Sequence, residues 1–220
     1  MINQTQTIKT RGVTDITFCL DCTGSMGGCI DNVKNNMSSL VRGFNSVENV
    51  SLDWRVRAMG FRDFEEDSTP LINDTEFTDD AEAFVKQFDE MKAMGGGDGP
   101  ESSLDAIVYA INTSAWRHNA HHVVVLFTDA PSKSLYHGTQ SNFGFPASID
   151  YLKQTLTEKR IQLFVFCGSS CSLLSQLSDV PLCQVNQGCN LNSSADFAPL
   201  MEAIGKTVAL SSTLAKSPTL

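Results

Sequence analysis

Long apolar runs are missing from this chain. No stretch approaches the roughly 20 consecutive apolar residues that a membrane-spanning helix needs. Runs of basic residues are missing too. Sixteen Lys and Arg stand against 25 Asp and Glu, a formal net charge of −9. That balance excludes a nucleic-acid groove, because phosphate binding needs clustered cations. The segment Met1 to Arg11 is polar and lacks the apolar core of a secretory signal, so a cytoplasmic location is expected. An even cysteine count is also lacking, so the seven cysteines cannot all pair internally. Cys19, Cys22 and Cys29 cluster early; Cys167, Cys171, Cys183 and Cys189 cluster late, at spacings unlike paired zinc knuckles. Reduced thiols are expected, with a disulfide or soft-metal site among the late four as the alternative. Repeats and a dividing linker are absent, which leaves one domain with a substantial core.

What the chain does have is an alternation of apolar strands with helical periodicity. A strand over 14–20 leads into a helix carrying Ile30, Val33, Met37, Leu40 and Val41, which the spacing extends to Phe44. A second strand spans Leu52 to Phe61, and a short edge strand lies near Leu71-Ile72. Thr78-Asp79-Asp80 caps a helix with Phe84, Val85 and Phe88. Gly95-Gly96-Gly97-Asp98-Gly99-Pro100-Glu101 opens another, with Leu104, Ile107, Val108 and Ile111. The run Val123-Val124-Val125-Leu126-Phe127 reads as a central parallel strand covered on both faces. A helix near 148–158, a strand over 161–166, a short helix near Leu173, a strand near 182–185 and a helix over 197–208 complete the pattern, with the last dozen residues fraying. Such alternation predicts a three-layer, doubly wound α/β fold: a mostly parallel six-stranded sheet with one antiparallel edge strand.

Right-handed crossovers place the turns after Leu20 and Phe127 at the same edge of that sheet. Asp21-Cys22-Thr23-Gly24-Ser25 therefore meets Thr128-Asp129 where open α/β sheets bind ligands. A carboxylate and two hydroxyls on one tight turn, a second carboxylate from the other turn, and Asp98 or Glu101 from the glycine-rich loop form a set of hard oxygens. They suit an octahedral Mg²⁺, or Mn²⁺ or Ca²⁺, rather than zinc. Hydroxyl ligands leave such an ion short of negative charge, and a partner protein's Asp or Glu could supply it.

Asp21-x-Thr23-x-Ser25 resembles the metal-ion-dependent adhesion site of von Willebrand factor A domains, whose usual form is Asp-x-Ser-x-Ser. Gly97-Asp98-Gly99-Pro100-Glu101, Phe127-Thr128-Asp129-Ala130 and Gly60-Phe61-Arg62-Asp63-Phe64 are similar to segments of the integrin beta-subunit and alpha-kinase-associated forms of that domain. The resemblance covers residues 13–210, leaving tails at 1–12 and 211–220. It implies a Rossmann-like fold and a cation held by Asp21, Thr23, Ser25, Glu101 and Asp129, with Asp98 as an outer or alternative ligand. It also implies a role in protein–protein interaction or adhesion, through a partner's carboxylate on the metal. Asp98, the Pro100 carbonyl and Glu101 match part of a second, flanking cation site, at which Gly96 lacks the needed side chain. Gly27-Gly28 replaces the acids of a third. Asp63 is expected to be a structural acid.

The rival class is a Mg²⁺-dependent, haloacid-dehalogenase-like phosphohydrolase that forms an aspartyl phosphate. Asp21-Cys22-Thr23-Gly24-Ser25 and Gly97-Asp98-Gly99 are similar to the Asp-Lys-Thr-Gly-Thr and Gly-Asp-Gly loops of cation-pumping ATPases. Against it, the soluble phosphatases of that class carry a second Asp where Thr23 stands. No Ser-His-Asp order falls on strand ends, and a non-enzymatic, metal-dependent docking domain is expected. The loop from Ser132 to Pro146, with Tyr136, Phe143 and Phe145, lies on its binding face by topology.

Overall fold

The computed structural model describes residues 9–72, 74–95, 99–136 and 144–214. Its sheet is built from β1 (Thr10–Asp21), β2 (Val50–Phe61), β3 (Leu71–Ile72), β4 (His121–Thr128), β5 (Gln162–Cys167) and β6 (Cys183–Asn186), in the order β3-β2-β1-β4-β5-β6. β1 pairs in parallel with both β2 and β4, and only the two-residue edge strand β3 runs antiparallel. The helices are α1 (Gly27–Asn35), α2 (Met37–Asn45), α3 (Ala81–Lys86), α4 (Ser103–Thr113), α5 (Ile149–Glu158), α6 (Ser172–Ser175) and α7 (Ser194–Leu214). Among the described residues no helix is long and apolar enough to cross a membrane.

Side chains on neighbouring strand positions point to opposite faces, and here each face feeds its own core. Ile16, Phe18 and Leu20 of β1 join Val123, Val125 and Phe127 of β4 beneath α1, α2 and α7. Cys19, Val124, Leu126, Leu163 and Val165 pack on the other face against α4 and α5. The aromatic residues concentrate on the first face. The ring of Phe127 lies 6.5 Å from Phe18, 5.3 Å from Phe166 and 5.4 Å from Phe197. On that same face α2 crosses α7 at two glycines. A Cβ on Gly43 would come within 2.3 Å of the Glu202 carbonyl oxygen, and one on Gly205 within 2.3 Å of Leu40 O. No other residue permits that backbone approach.

Three elements depart from the sequence expectation. The helix foreseen to run unbroken to Phe44 divides at Asn36, whose φ of −113° and ψ of 14° leave the helical region. The Asn36 amide side chain donates to the Asn32 carbonyl at 2.8 Å, the kind of local bond by which Asn competes with helix continuation. The apolar spacing runs straight through the break, so periodicity cannot register it. The last helix extends to Leu214 rather than ending near 208, because Val208, Ala209 and Ser212 are buried and hold it down. β1 likewise begins at Thr10, three residues inside the segment assigned to a tail, where it pairs with Val50 of β2.

The seven cysteines are free thiols. Cys19 and Cys22 belong to cores on opposite faces, so the Cys-x-x-Cys spacing brings no sulfur pair together. Burial pushes both thiols up to about 12.

Candidate metal centre

The strand order reverses between β1 and β4, and the crevice beyond their carboxyl ends is where such sheets bind ligands. Asp21 ends β1 there and is fully buried. One carboxylate oxygen accepts from the Thr23 hydroxyl at 2.7 Å and the Thr23 amide at 2.9 Å. The other accepts from the Thr128 hydroxyl at 2.7 Å. Burial pushes the Asp21 carboxyl above its ordinary pKa, and the hydrogen bonds from Thr128 and Thr23 pull against that shift. Thr23 is itself buried, while Ser25 is exposed at the mouth of the crevice. The Ser25 hydroxyl donates to Asp129 Oδ1 at 2.9 Å, across 104 residues of chain.

The local backbone explains why these groups converge. Gly24 and Ser25 open a 3₁₀ turn over Gly24–Met26, and the Gly24 amide donates to the Gly95 carbonyl at 3.3 Å. Met94 donates its amide to the Cys22 carbonyl at 3.0 Å, and Arg62 Nε reaches the same oxygen at 3.4 Å. Beyond β5, Gly168 passes against the Asp129 backbone so tightly that a Cβ would lie 2.5 Å from the Asp129 carbonyl oxygen. Any side chain at 168 would displace the turn that carries Asp129.

Glu101 arrives through its main chain. Its amide donates to the Pro131 carbonyl at 2.8 Å, and its carbonyl accepts from the Lys133 amide at 2.8 Å, a parallel bridge to Ser132. The Glu101 side chain is buried. Asp63, also fully buried, accepts from the Ser102 hydroxyl at 3.1 Å and the Glu65 amide at 2.9 Å, and pairs with Lys133 Nζ at 2.5 Å. Although burial raises its pKa, contacts with Lys133, the Glu65 amide and Ser102 bring it below the ordinary value. Asp63 is thus held by an ion pair and hydrogen bonds within the fold.

The structure brings Asp21, Thr23, Ser25 and Asp129 to one point and ties the Glu101 segment beside it. Asp98 lies outside the described residues, as does Phe143. Phe145 departs from its expected place on the binding face: it is buried, with its ring edge-on to Tyr151 at 4.9 Å. Tyr136 remains exposed, its amide held by Asp105 at 3.1 Å. Sequence reasoning misses Thr128 and Lys133. Thr128 stands beside Asp129 in the quoted motif, and the hydroxyl at a strand's last position is its one available signal. Lys133 gives none.

The donor set fits a hard divalent cation. Each hydroxyl directs its proton at a carboxylate, Thr23 to Asp21 and Ser25 to Asp129, and so keeps its oxygen lone pairs for an ion. Among the described residues no three His, Cys, Asp or Glu side chains gather into a metal cluster. A cation here would draw on the alcohol oxygens of Thr23 and Ser25 beside the carboxylates of Asp21 and Asp129.

Comparison with known proteins bears on the fold and the family. The chain is 30% identical over 133 residues to "Alpha-protein kinase vwkA" of Dictyostelium discoideum; the match covers 60% of this chain but only 20% of that relative's length. Among solved structures, "von Willebrand factor type A from Catenulispora acidiphila" superposes with a TM-score of 0.60 at 11% identity, covering 90% of this chain and 43% of that one. Proximal thread matrix protein 1 from the mussel byssus, in a form described as having a zinc-occupied MIDAS motif, gives a TM-score of 0.59 at 16% identity over 92% of this chain and 47% of that one. The von Willebrand factor A domain family matches residues 15–141, and the chain belongs to that family.

Proposed function

We propose that the domain formed by residues 10–214 is a cation-dependent protein-interaction module. It holds one divalent ion on Asp21, Thr23, Ser25, Asp129 and Glu101 and docks a partner's Asp or Glu carboxylate on that ion. The observation that carries this reading is the pairing of each hydroxyl with a carboxylate at the switch point, Thr23 with Asp21 at 2.7 Å and Ser25 with Asp129 at 2.9 Å. That arrangement sets two hydroxyl oxygens beside the carboxylates at the end of the sheet. A bound ion would supply a Lewis-acidic position there, on which an acidic side chain is a natural ligand. Asp98 is the reserve carboxylate, and Tyr136 is an exposed aromatic on the segment that follows Asp129.

Mg²⁺ is the proposed ion, with Mn²⁺ and Ca²⁺ as alternatives, because hydroxyl and carboxylate oxygens are hard donors. The zinc in the mussel protein's motif makes zinc the necessary fourth arm of any test. The phosphohydrolase reading draws no support from the site. The soluble phosphatases of that class carry a second Asp as general acid, and Thr23 stands at that position here, its hydroxyl donated to Asp21.

Thermal unfolding in rising Mg²⁺, Mn²⁺, Ca²⁺ or Zn²⁺ tests the reading. An ion bound to the folded state alone stabilises it by about 2.7 kcal/mol at one hundred times its Kd. The midpoint should climb for the wild type and stay fixed for Asp21→Ala/Asp129→Ala. No climb in the wild type, or an equal climb in the variant, defeats the metal reading. Turnover of an aryl phosphate with Mg²⁺, lost in Asp21→Asn, would reinstate the enzyme. Crystals grown in Mg²⁺ should show an acidic side chain of a neighbouring molecule on the ion.

A further inference from the structure

Lys133 lies just beyond the Asp129 turn, and its side chain is only 13% exposed. Its ammonium pairs with Asp63 Oδ2 at 2.5 Å and Glu65 Oε2 at 3.3 Å, both on the segment after β2. Its amide holds the Glu101 carbonyl at 2.8 Å, while Pro131 holds the Glu101 amide. Asp63 in turn takes the hydroxyl of Ser102, the residue after Glu101, and that same hydroxyl accepts from the Phe64 amide at 2.9 Å. The Ser132 hydroxyl receives the Leu104 amide at 3.3 Å, closing the start of α4 onto this segment. Three loops from three different parts of the chain thus meet on one lysine.

We propose that Lys133 is a positioning residue of the cation site. Its ion pair with Asp63, relayed by Ser102 and by the Lys133–Glu101 main-chain bond, fixes where the Glu101 carboxylate stands in the ion's oxygen shell. The inference rests on the cation reading above. Groups that orient a metal's ligands without touching the metal change its affinity by about 10–100-fold when removed. Two opposite effects separate positioning from simple charge. An ammonium near a divalent ion repels it, so charge alone makes loss of Lys133 tighten binding. Positioning makes the same loss weaken it.

Lys133→Met alone leaves Asp63 buried without its cation and costs the fold heavily. The informative variant is Lys133→Met/Asp63→Asn, which removes one positive and one negative charge together. The side-chain amide that replaces the Asp63 carboxylate keeps an acceptor for Ser102. Mg²⁺ titrated calorimetrically into this variant should show a Kd raised about 10-fold or more, with Lys133→Arg close to wild type. Glu101→Gln should weaken Mg²⁺ binding in the wild-type background and add little in the double variant, because the carboxylate is already misplaced. General loosening of the fold would instead make the two losses additive. A double variant that binds as tightly as wild type, or tighter, overturns the proposal, and so does strict additivity. If the wild type takes up no Mg²⁺, the cation reading falls and this inference falls with it. A wild type that binds beside an unchanged double variant removes this inference alone.

Discussion

β1 buries two carboxylates completely, Asp15 midway along the strand and Asp21 at its carboxyl end, and treats them in opposite ways. On its amino-terminal half, Asp15 faces two guanidinium groups. Arg55 grips it with Nε at 2.9 Å and Nη2 at 2.8 Å, and Arg117 adds its amide at 2.7 Å and Nε at 2.9 Å. Arg117 then reaches Asp53 at 2.7 Å and the Thr14 carbonyl at 2.9 Å. At the carboxyl end Asp21 receives two hydroxyls and an amide and, among the described residues, no side-chain cation. Burial raises the pKa of both acids, but at Asp15 the bonds and charge of Arg55 and Arg117 prevail and the net shift is downward, whereas at Asp21 burial prevails. The first setting is electrostatically complete. The other leaves a buried carboxylate with no side-chain cation beside it among the described residues, as the cation reading proposed above requires, the pattern in which stability is surrendered where a site must stay receptive.

The largest effect that could break this contrast is expected at Arg117. Arg117→Met strips Asp15 of half its cover while the acid stays buried, and should cost about 3 kcal/mol in urea unfolding, since leaving a buried charge short of its partner is among the costliest single changes. The pH dependence follows in sign. The Asp15 pKa is depressed in the folded state, so its contribution is complete above the unfolded value near about 3.9 and fades as pH falls through the folded one. The wild type should therefore lose stability more steeply on the acid side than Arg117→Met does. Equal slopes, or a cost below about 1 kcal/mol, would mean that the network around Asp15 is no stronger than an exposed pair.

At the carboxyl end the sign should reverse. Asp21→Asn keeps an acceptor for the Thr23 hydroxyl and amide, and the Thr128 hydroxyl can rotate to accept from the new amide group. The change removes a buried charge that lacks a counter-ion, so without metal the variant should be more stable than wild type, by about 1 kcal/mol. In saturating Mg²⁺ the order should invert, because only the wild type gains from the ion. A metal-free Asp21→Asn that is clearly less stable would show that the two acids are satisfied alike.

The sequence makes the carboxyl end legible and leaves the network around Asp15 almost invisible. Asp21, Thr23 and Ser25 are neighbours on one turn, and Asp129 follows an unmistakable buried strand, so topology alone joins them. The strands themselves are readable because burial on both faces demands continuous apolar runs. Asp15, Arg55 and Arg117 carry no local pattern; Arg117 and Asp15 are 102 residues apart and meet only because β1 and β4 pair in one register. The Lys133 clamp is hidden for the same reason, its bond to Glu65 spanning 68 residues. The break at Asn36 is hidden differently, by a helix-compatible apolar rhythm that says nothing about backbone hydrogen bonds. Short-range chemistry is written in adjacent letters, and long-range ion pairs are written in the fold.

The smallest expected effect sharpens the contrast within the Asp15 network itself. Arg11 pairs with Asp53 at 2.8 Å, a distance as short as those around Asp15. Its side chain is 72% exposed and that of Asp53 33%, whereas Asp15 is wholly buried. Water screens such a pair, and holding a long side chain in one place costs rotamer entropy, so exposed pairs contribute about 0–1 kcal/mol whatever their length. Arg11→Gln should thus shift the urea midpoint by only a small fraction of the Arg117→Met effect, and the shift should vanish in about 1 M salt, where screening reaches only about 3 Å. A loss at Arg11 comparable to that at Arg117 would mean that bond length, rather than burial, sets the strength of this network. Asp15 and Asp21 would then differ merely in how many contacts each carboxylate makes.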